Sequence, residues 1–193
     1  FIPFIDIAYQ GLGQGLDADA YGLRMMADRL PELLVASSCS KNFGLYRERT
    51  GSITLVAESA EQAKIVSAQS MSIARQIYSM PPAHGALLVS LILGDDQLRA
   101  NWQAELEEVR LRIKSMRTLL TDGINDNAAG MDFSHIKQQQ GMFSFLGITS
   151  DQLNRLREEF AIYIVGSTRV NLAGINSNNV DYLTQSIRTV LDS

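Results

Sequence analysis

A single cysteine, Cys39, is all the sequence contains, which excludes an internal disulfide framework and suits a reducing compartment. Histidine is almost as scarce: His84 and His135 form no metal-binding set and are read as structural. Long apolar runs are missing too. Nothing approaches the ~20 residues that cross a bilayer, and the first residues do not show the basic-then-apolar pattern of a signal peptide. Excess positive charge is also lacking: 17 Lys and Arg stand against 21 Asp and Glu, a net charge of −4. That balance argues against nucleic acid or an anionic membrane as the main partner. There are no repeats and no low-complexity tract. What is present is ordinary globular material, 193 residues of which 46% are hydrophobic and 20% charged, enough to bury a core in one or two domains. The sequence opens on Phe1 inside what reads as a strand, so it is expected to be the later part of a longer polypeptide.

Phe1 to Tyr9 (FIPFIDIAY) combines apolar, β-branched and aromatic residues and predicts a strand covered on both faces. After a turn-rich stretch, Asp17 is placed to cap a helix reaching about Leu30, where Pro31 stops it. LLVASSCS and GSITLVAE predict two more strands, the start of an open α/β sheet. From Ser59 the pattern is helical. Ser59 caps a helix ended by Pro81-Pro82, and a second helix covers Ala83 to Leu93. Leu98, Trp102, Leu106, Val109, Ile113, Met116 and Leu120 then recur every three or four residues, with Glu and Arg opposite. Such a helix, roughly 28 residues and ~40 Å long, exceeds one small core and is read as a connector shared by two domains. A coiled coil is the rival reading, but its heptads end after little more than three repeats.

Beyond this helix come weak strand signals at Phe133 to Ile136 and in GMFSFLG, then a capping box over Thr149 to Gln152 for a helix through Phe160. STRVNLAG predicts a strand, and the tail from Asn178 is amphipathic, with Val180, Leu183, Ile187, Val190 and Leu191 on one side. The expected domains are 1–108, an α/β unit, and 109–193, a smaller α+β unit.

Two residues stand out chemically. Asp6 lies among apolar neighbours, where a bare carboxylate costs several kcal/mol to bury. It either ends its strand facing solvent or meets a cation, near the strand end where α/β sheets bind ligands. Lys41 ends the run VASSCS, again at a strand's carboxyl end. It is either a solvated loop residue or a desolvated amine suited to Schiff-base chemistry. The hydroxyls of Ser37, Ser38 and Ser40, with Arg49 nearby, suit a phosphate. Together, Asp, Lys, Ser and Arg on neighbouring strand ends describe a cofactor with an aldehyde, a pyridine nitrogen and a phosphate. Gly11-x-Gly13-x-Gly15 lacks the dinucleotide-binding spacing, and Cys39 has no evident base beside it, so neither is taken as a site.

The segments Asp6 to Gly11 (D-x-A-Y-Q-G), Ser37 to Gly51 (SSCSKNFGLYRERTG), Tyr78 to Gly85 (YSMPPAHG), Gly141 to Phe145 (GMFSF) and Ser167 to Gly174 (STRVNLAG) resemble the class I aspartate and aromatic-amino-acid aminotransferases. The resemblance covers essentially the whole sequence. It implies the three-layer α/β large domain of fold-type I pyridoxal-phosphate enzymes (its carboxyl-terminal part only), joined by the long helix to the small α+β domain. It also implies pyridoxal 5'-phosphate as cofactor, with Lys41 as the Schiff-base lysine and proton shuttle. Asp6 becomes the partner of the pyridine nitrogen, Tyr9 the phenol bonded to the cofactor O3′, and Ser38 and Arg49 phosphate ligands. Arg169 becomes the grip on the substrate α-carboxylate, Arg75 the residue reaching the distal carboxylate across a homodimer, and Phe143 a wall of the substrate site. No metal is implied.

The activity implied is transfer of the amino group of aspartate or aromatic amino acids to 2-oxoglutarate, by a ping-pong cycle in a cytoplasmic homodimer. The family's remaining site residues would come from an amino-terminal portion. A β-lyase of the same class is the alternative enzyme, disfavoured by the paired Arg75 and Arg169. A non-catalytic fragment of the fold is the other. Met80, in YSMPP, leaves substrate preference open.

Overall fold

Alternating apolar side chains make Phe4–Ile7 the first strand, β1, in the computed structural model, which describes residues 1–126 and 131–192. β1 pairs in parallel with β2 (Leu33–Ser38), Asp6 opposite Ala36, and β2 pairs antiparallel with β3 (Gly51–Val56). β2 is therefore the central strand, and its Leu33 and Val35 are buried. β1 departs from the expectation of a strand covered on both faces. It is an edge strand whose Phe4 is 63% exposed, and Asp6, on the same face, is exposed with it.

The helix expected from Asp17 to Leu30 is broken into α1 (Leu16–Asp19) and α2 (Tyr21–Arg29). Asp17 caps neither; it pairs with Arg24 at 2.9 Å. The carboxylate that organises this segment is Asp19, which accepts the backbone N–H groups of Gly11, Gly13 and Gln14 at 2.7–2.9 Å. That fan of bonds ties α1 back to the turn leaving β1. Gly11 belongs to this turn because its φ of +94° is left-handed and a side chain there would run into Leu106.

Ser59 accepts the Gln62 N–H and starts α3 (Ala60–Tyr78), and α4 spans His84–Gly94. Both helices leave apolar side chains open: Ile65, Met71, Ile73 and Ile77 on α3, Leu87 and Leu91 on α4. Asp95 accepts the Leu98 N–H at the start of α5 (Asp96–Asn125), the longest element at 30 residues. The chain divides into two compact units, Phe1–Glu107 and Glu108–Ser193, and the division falls inside α5.

In the second unit, Ile113, Leu120 and Ile124 form the buried stripe of α5. Leu98 and Val109, at the same periodicity, are exposed. Arg does not keep to the opposite face: Arg117 falls on the stripe and is buried. Phe133 to Ile136 is not a strand. Asn125 accepts the Phe133 N–H, Asp132 accepts the Ser134 N–H, and these local bonds start a one-turn helix, α6 (His135–Gln138). β4 (Phe143–Phe145) pairs antiparallel with β5 (Arg169–Asn171), which gives way at once to a 3₁₀ turn, Leu172–Gly174. Thr149 and Gln152 form a reciprocal capping box for α7 (Ser150–Phe160). α8 (Val180–Leu191) closes the unit with Ile187 and Val190 fully buried, each contributing about 1.5–3 kcal/mol by leaving water.

Candidate active site

Because β1 and β2 run parallel, their carboxyl ends lie side by side, and the loops leaving them carry the candidate residues of the first unit. Asp6 is on β1 itself and Tyr9 follows two residues after its end. Ser38 ends β2, and Lys41 sits in the turn beyond. The two loops meet: the Lys41 ammonium nitrogen lies 4.7 Å from the centroid of the Tyr9 ring, a cation–π separation. Residues thirty-odd positions apart in sequence are thus held at one sheet end.

Neighbouring bonds fix both loops. The Asn42 amide Nδ2 donates to the Gln10 carbonyl at 3.2 Å, and the Gln10 Nε2 donates to the Leu16 carbonyl at 3.0 Å. The Trp102 indole N–H donates to the Asn42 carbonyl at 2.7 Å, and the Phe43 ring stacks on Trp102 at 4.4 Å. Ser38 Oγ accepts the Ser40 N–H at 3.2 Å, and Ser37 and Ser52 hydroxyls bond across β2 and β3 at 2.7 Å. Cys39, the residue after the end of β2, has its thiol pKa pushed above its ordinary value by burial.

Arg49 enters two residues before Gly51, the ladder partner of Ser38. Its backbone is left-handed at φ 52°, and its Nη1 donates to the Tyr46 carbonyl at 2.9 Å, leaving the rest of the fork exposed. The turn that carries it is pinned by Glu48, which bonds His84 Nδ1 at 2.9 Å, and by Thr50, whose side chain packs where Gly85 has none. Arg75 is exposed in the last turn of α3 and makes no side-chain bond within this group.

Arg169 and Phe143 belong to the second unit. Arg169 opens β5 opposite Phe145, and its guanidinium carbon lies 4.6 Å from the centroid of the Phe143 ring. The pair lines an open groove of about 430 Å³, with Tyr163, Asn171 and Tyr182. Beneath it, Arg117 donates to Ser144 Oγ and to the carbonyls of Ile136 and Gly141, and burial lowers its pKa from the ordinary value. Neutral carbonyls and a hydroxyl thus satisfy a buried guanidinium that pins β4 from behind. His135 turns a ring nitrogen to the Phe145 carbonyl at 3.2 Å. Among the described residues no group of three or more His, Cys, Asp or Glu could hold a metal ion, and no helix is long and apolar enough to cross a membrane.

Sequence reasoning missed Asp19, Asn42 and Arg117. The signal for Arg117 was present, four residues after Ile113 and three before Leu120 on the apolar stripe. Asn42 and Asp19 act through backbone partners, which side-chain patterns do not reveal.

The sequence profile of the aminotransferase class I and II family matches residues 1–187. The aspartate aminotransferase of Haemophilus influenzae is 54% identical over 191 residues, which are 99% of this chain and 48% of that protein. The aromatic-amino-acid aminotransferase of Pseudomonas aeruginosa is 46% identical over 189 residues, 98% of this chain and 47% of that one. Among solved structures, the aromatic-amino-acid aminotransferase of Burkholderia pseudomallei covalently bound to pyridoxal phosphate superposes with a TM-score of 0.96 at 43% identity, covering 98% of this chain and 48% of its own. The chain spans about half the length of the curated relatives it matches.

Proposed function

The chain belongs to the aminotransferase class I and II family, and from that premise we propose that, joined to an amino-terminal portion, it is the lysine-bearing part of a pyridoxal-phosphate-dependent aminotransferase. Its substrates are aspartate and aromatic amino acids as donors and 2-oxoglutarate as acceptor. The working form is a cytoplasmic homodimer. Residues 1–108 belong to the cofactor-binding domain and 109–193 to the small domain.

The observation that carries this reading is the approach of the Lys41 amine to the Tyr9 ring at the shared end of β1 and β2. Amine, phenol, carboxylate, hydroxyl and guanidinium are the donor set that a phosphorylated pyridine aldehyde needs, and all five stand on this sheet or in the loops leaving it. When bound, pyridoxal phosphate supplies the aldehyde and an electron-accepting ring. Lys41 Nζ would hold it covalently through its aldehyde carbon and, once freed by substrate, would carry the proton between the substrate α-carbon and the cofactor C4′. Asp6 would keep a proton on the pyridine nitrogen through its negative charge. Its exposure on the open face of β1 leaves that face free for the ring. The Tyr9 hydroxyl would donate to the ring oxygen, and Ser38 with the exposed part of the Arg49 fork would bind the phosphate. Arg169 grips the substrate α-carboxylate with two parallel bonds, its plane backed by Phe143. Arg75 answers the distal carboxylate of a dicarboxylic substrate.

The test uses the chain together with its amino-terminal portion and added pyridoxal phosphate. Borohydride should fix the cofactor onto Lys41, read by mass spectrometry, and Lys41→Ala should abolish both the fixation and amino transfer between aspartate, phenylalanine or tyrosine and 2-oxoglutarate. Uptake of no cofactor by the wild-type assembly would overturn the proposal in favour of a non-catalytic role.

A further inference from the structure

We propose that Asn42 is a positioning residue that sets where the Lys41 amine stands relative to Tyr9, an inference that rests on the functional reading above. Lys41 sits in a turn whose own hydrogen bonds are sparse, the Gly44 N–H to the Lys41 carbonyl at 3.2 Å and the Phe43 N–H to the Cys39 carbonyl at 3.3 Å. Such a turn does not by itself fix a long, flexible side chain at one place.

The residue after Lys41 supplies what is lacking, in two directions. Through its side chain, Asn42 donates to the Gln10 carbonyl, next in sequence to Tyr9. Through its main chain, it accepts the Trp102 indole N–H, while the adjacent Phe43 lies flat on the same indole, with the planes 10° apart. The Lys41 turn is thereby braced to α5 on one side and to the Tyr9 loop on the other. The Tyr9 loop is itself held by the Asp19 carboxylate three times over. The amide can face only one way, because its oxygen turned toward Gln10 would set two acceptors against each other. In the orientation it takes, its Oδ1 is buried with no hydrogen-bond partner among the described residues. An interior acceptor left unbonded is unfavourable, and the bond to Gln10 is what the amide gains in that orientation.

Asn42 touches neither the cofactor nor the substrate in this reading; it acts through Lys41. Asn42→Asp keeps the shape but sets a second acceptor against the Gln10 carbonyl, and Asn42→Ala removes the tie. Trp102→Phe keeps an aromatic ring against Phe43 but removes the N–H bond to the same turn along with part of the indole's packing, so it is the second variant should either Asn42 variant fail to fold. In the assembled, cofactor-loaded enzyme, the visible circular dichroism of bound pyridoxal phosphate, per mole bound, should change in each variant. The single-turnover rate per bound cofactor should fall about tenfold or more for the Asn42 variants and about threefold for Trp102→Phe, with KM for aspartate nearly unchanged, as small misplacements of a reacting group do. A brace needed only for folding would lower the amount of loaded enzyme and leave both per-cofactor quantities at wild-type values, and that result overturns the inference. A wild-type assembly whose cofactor is not fixed to Lys41 overturns the functional reading instead, and the inference with it.

Discussion

At the scale of single residues, the site region is a set of side chains whose neighbours decide their chemistry. Cys39 lies one residue from both Ser38 and Ser40, yet burial raises its thiol pKa. A raised pKa means less thiolate at any given pH. Alkylation by iodoacetamide at pH 8 should therefore run more slowly than that of free cysteine, because less of the thiol is ionised. The rate should keep climbing at pH values where free cysteine has levelled off. Mass spectrometry across a pH series reads this directly, and a rate matching the free thiol would show that burial does not govern Cys39. Individual side chains were legible in the sequence to the extent that their chemistry was out of place. Asp6 stands out because it lies among apolar neighbours, and Lys41 because it ends the run VASSCS. The exposure of Asp6 could not be read that way, since it depends on which face of β1 is covered.

At the scale of elements, the sequence declared its starts better than its interiors. Ser59 and the Thr149–Gln152 box cap helices as expected, because capping is local chemistry within four residues. The break between α1 and α2 and the helical turn at α6 were not foreseen. Asp19 and Asp132 capture backbone N–H groups there, and local patterns of apolar residues do not register that competition. β4 shows the same limit: its short FSF run is held in place from a neighbouring helix by Arg117. Replacing Arg117 with Met removes the donors and leaves the Gly141 carbonyl and the buried Ser144 hydroxyl short of partners, while the Ile136 carbonyl keeps the Gln139 N–H. The expected loss is about 2–4 kcal/mol of stability in the second unit, measured by chemical denaturation. A loss below about 0.5 kcal/mol, the range of ordinary surface changes, would mean that water or relaxation serves those groups equally well.

At the scale of the whole chain, the two units are unequally packed. Fully buried side chains such as Leu120, Ile124, Phe133, Ile136, Leu156, Leu172, Ile187 and Val190 gather in the second unit. The first buries Leu12, Leu33, Val35 and Leu106 while leaving Ile73, Ile77, Leu87 and Leu91 open. This asymmetry was not legible from composition, because the first stretch is the more apolar of the two and yet the less well covered. Digested by itself, the chain should lose the first unit to protease well before the second, as fragment masses over time would show. A fold with little interior of its own draws its persistence from whatever occupies it, so the survival of the Lys41 region should be a titratable quantity rather than a constant. In the assembled enzyme it should increase with free pyridoxal phosphate by mass action, gaining about 2.7 kcal/mol at a hundredfold excess over the dissociation constant.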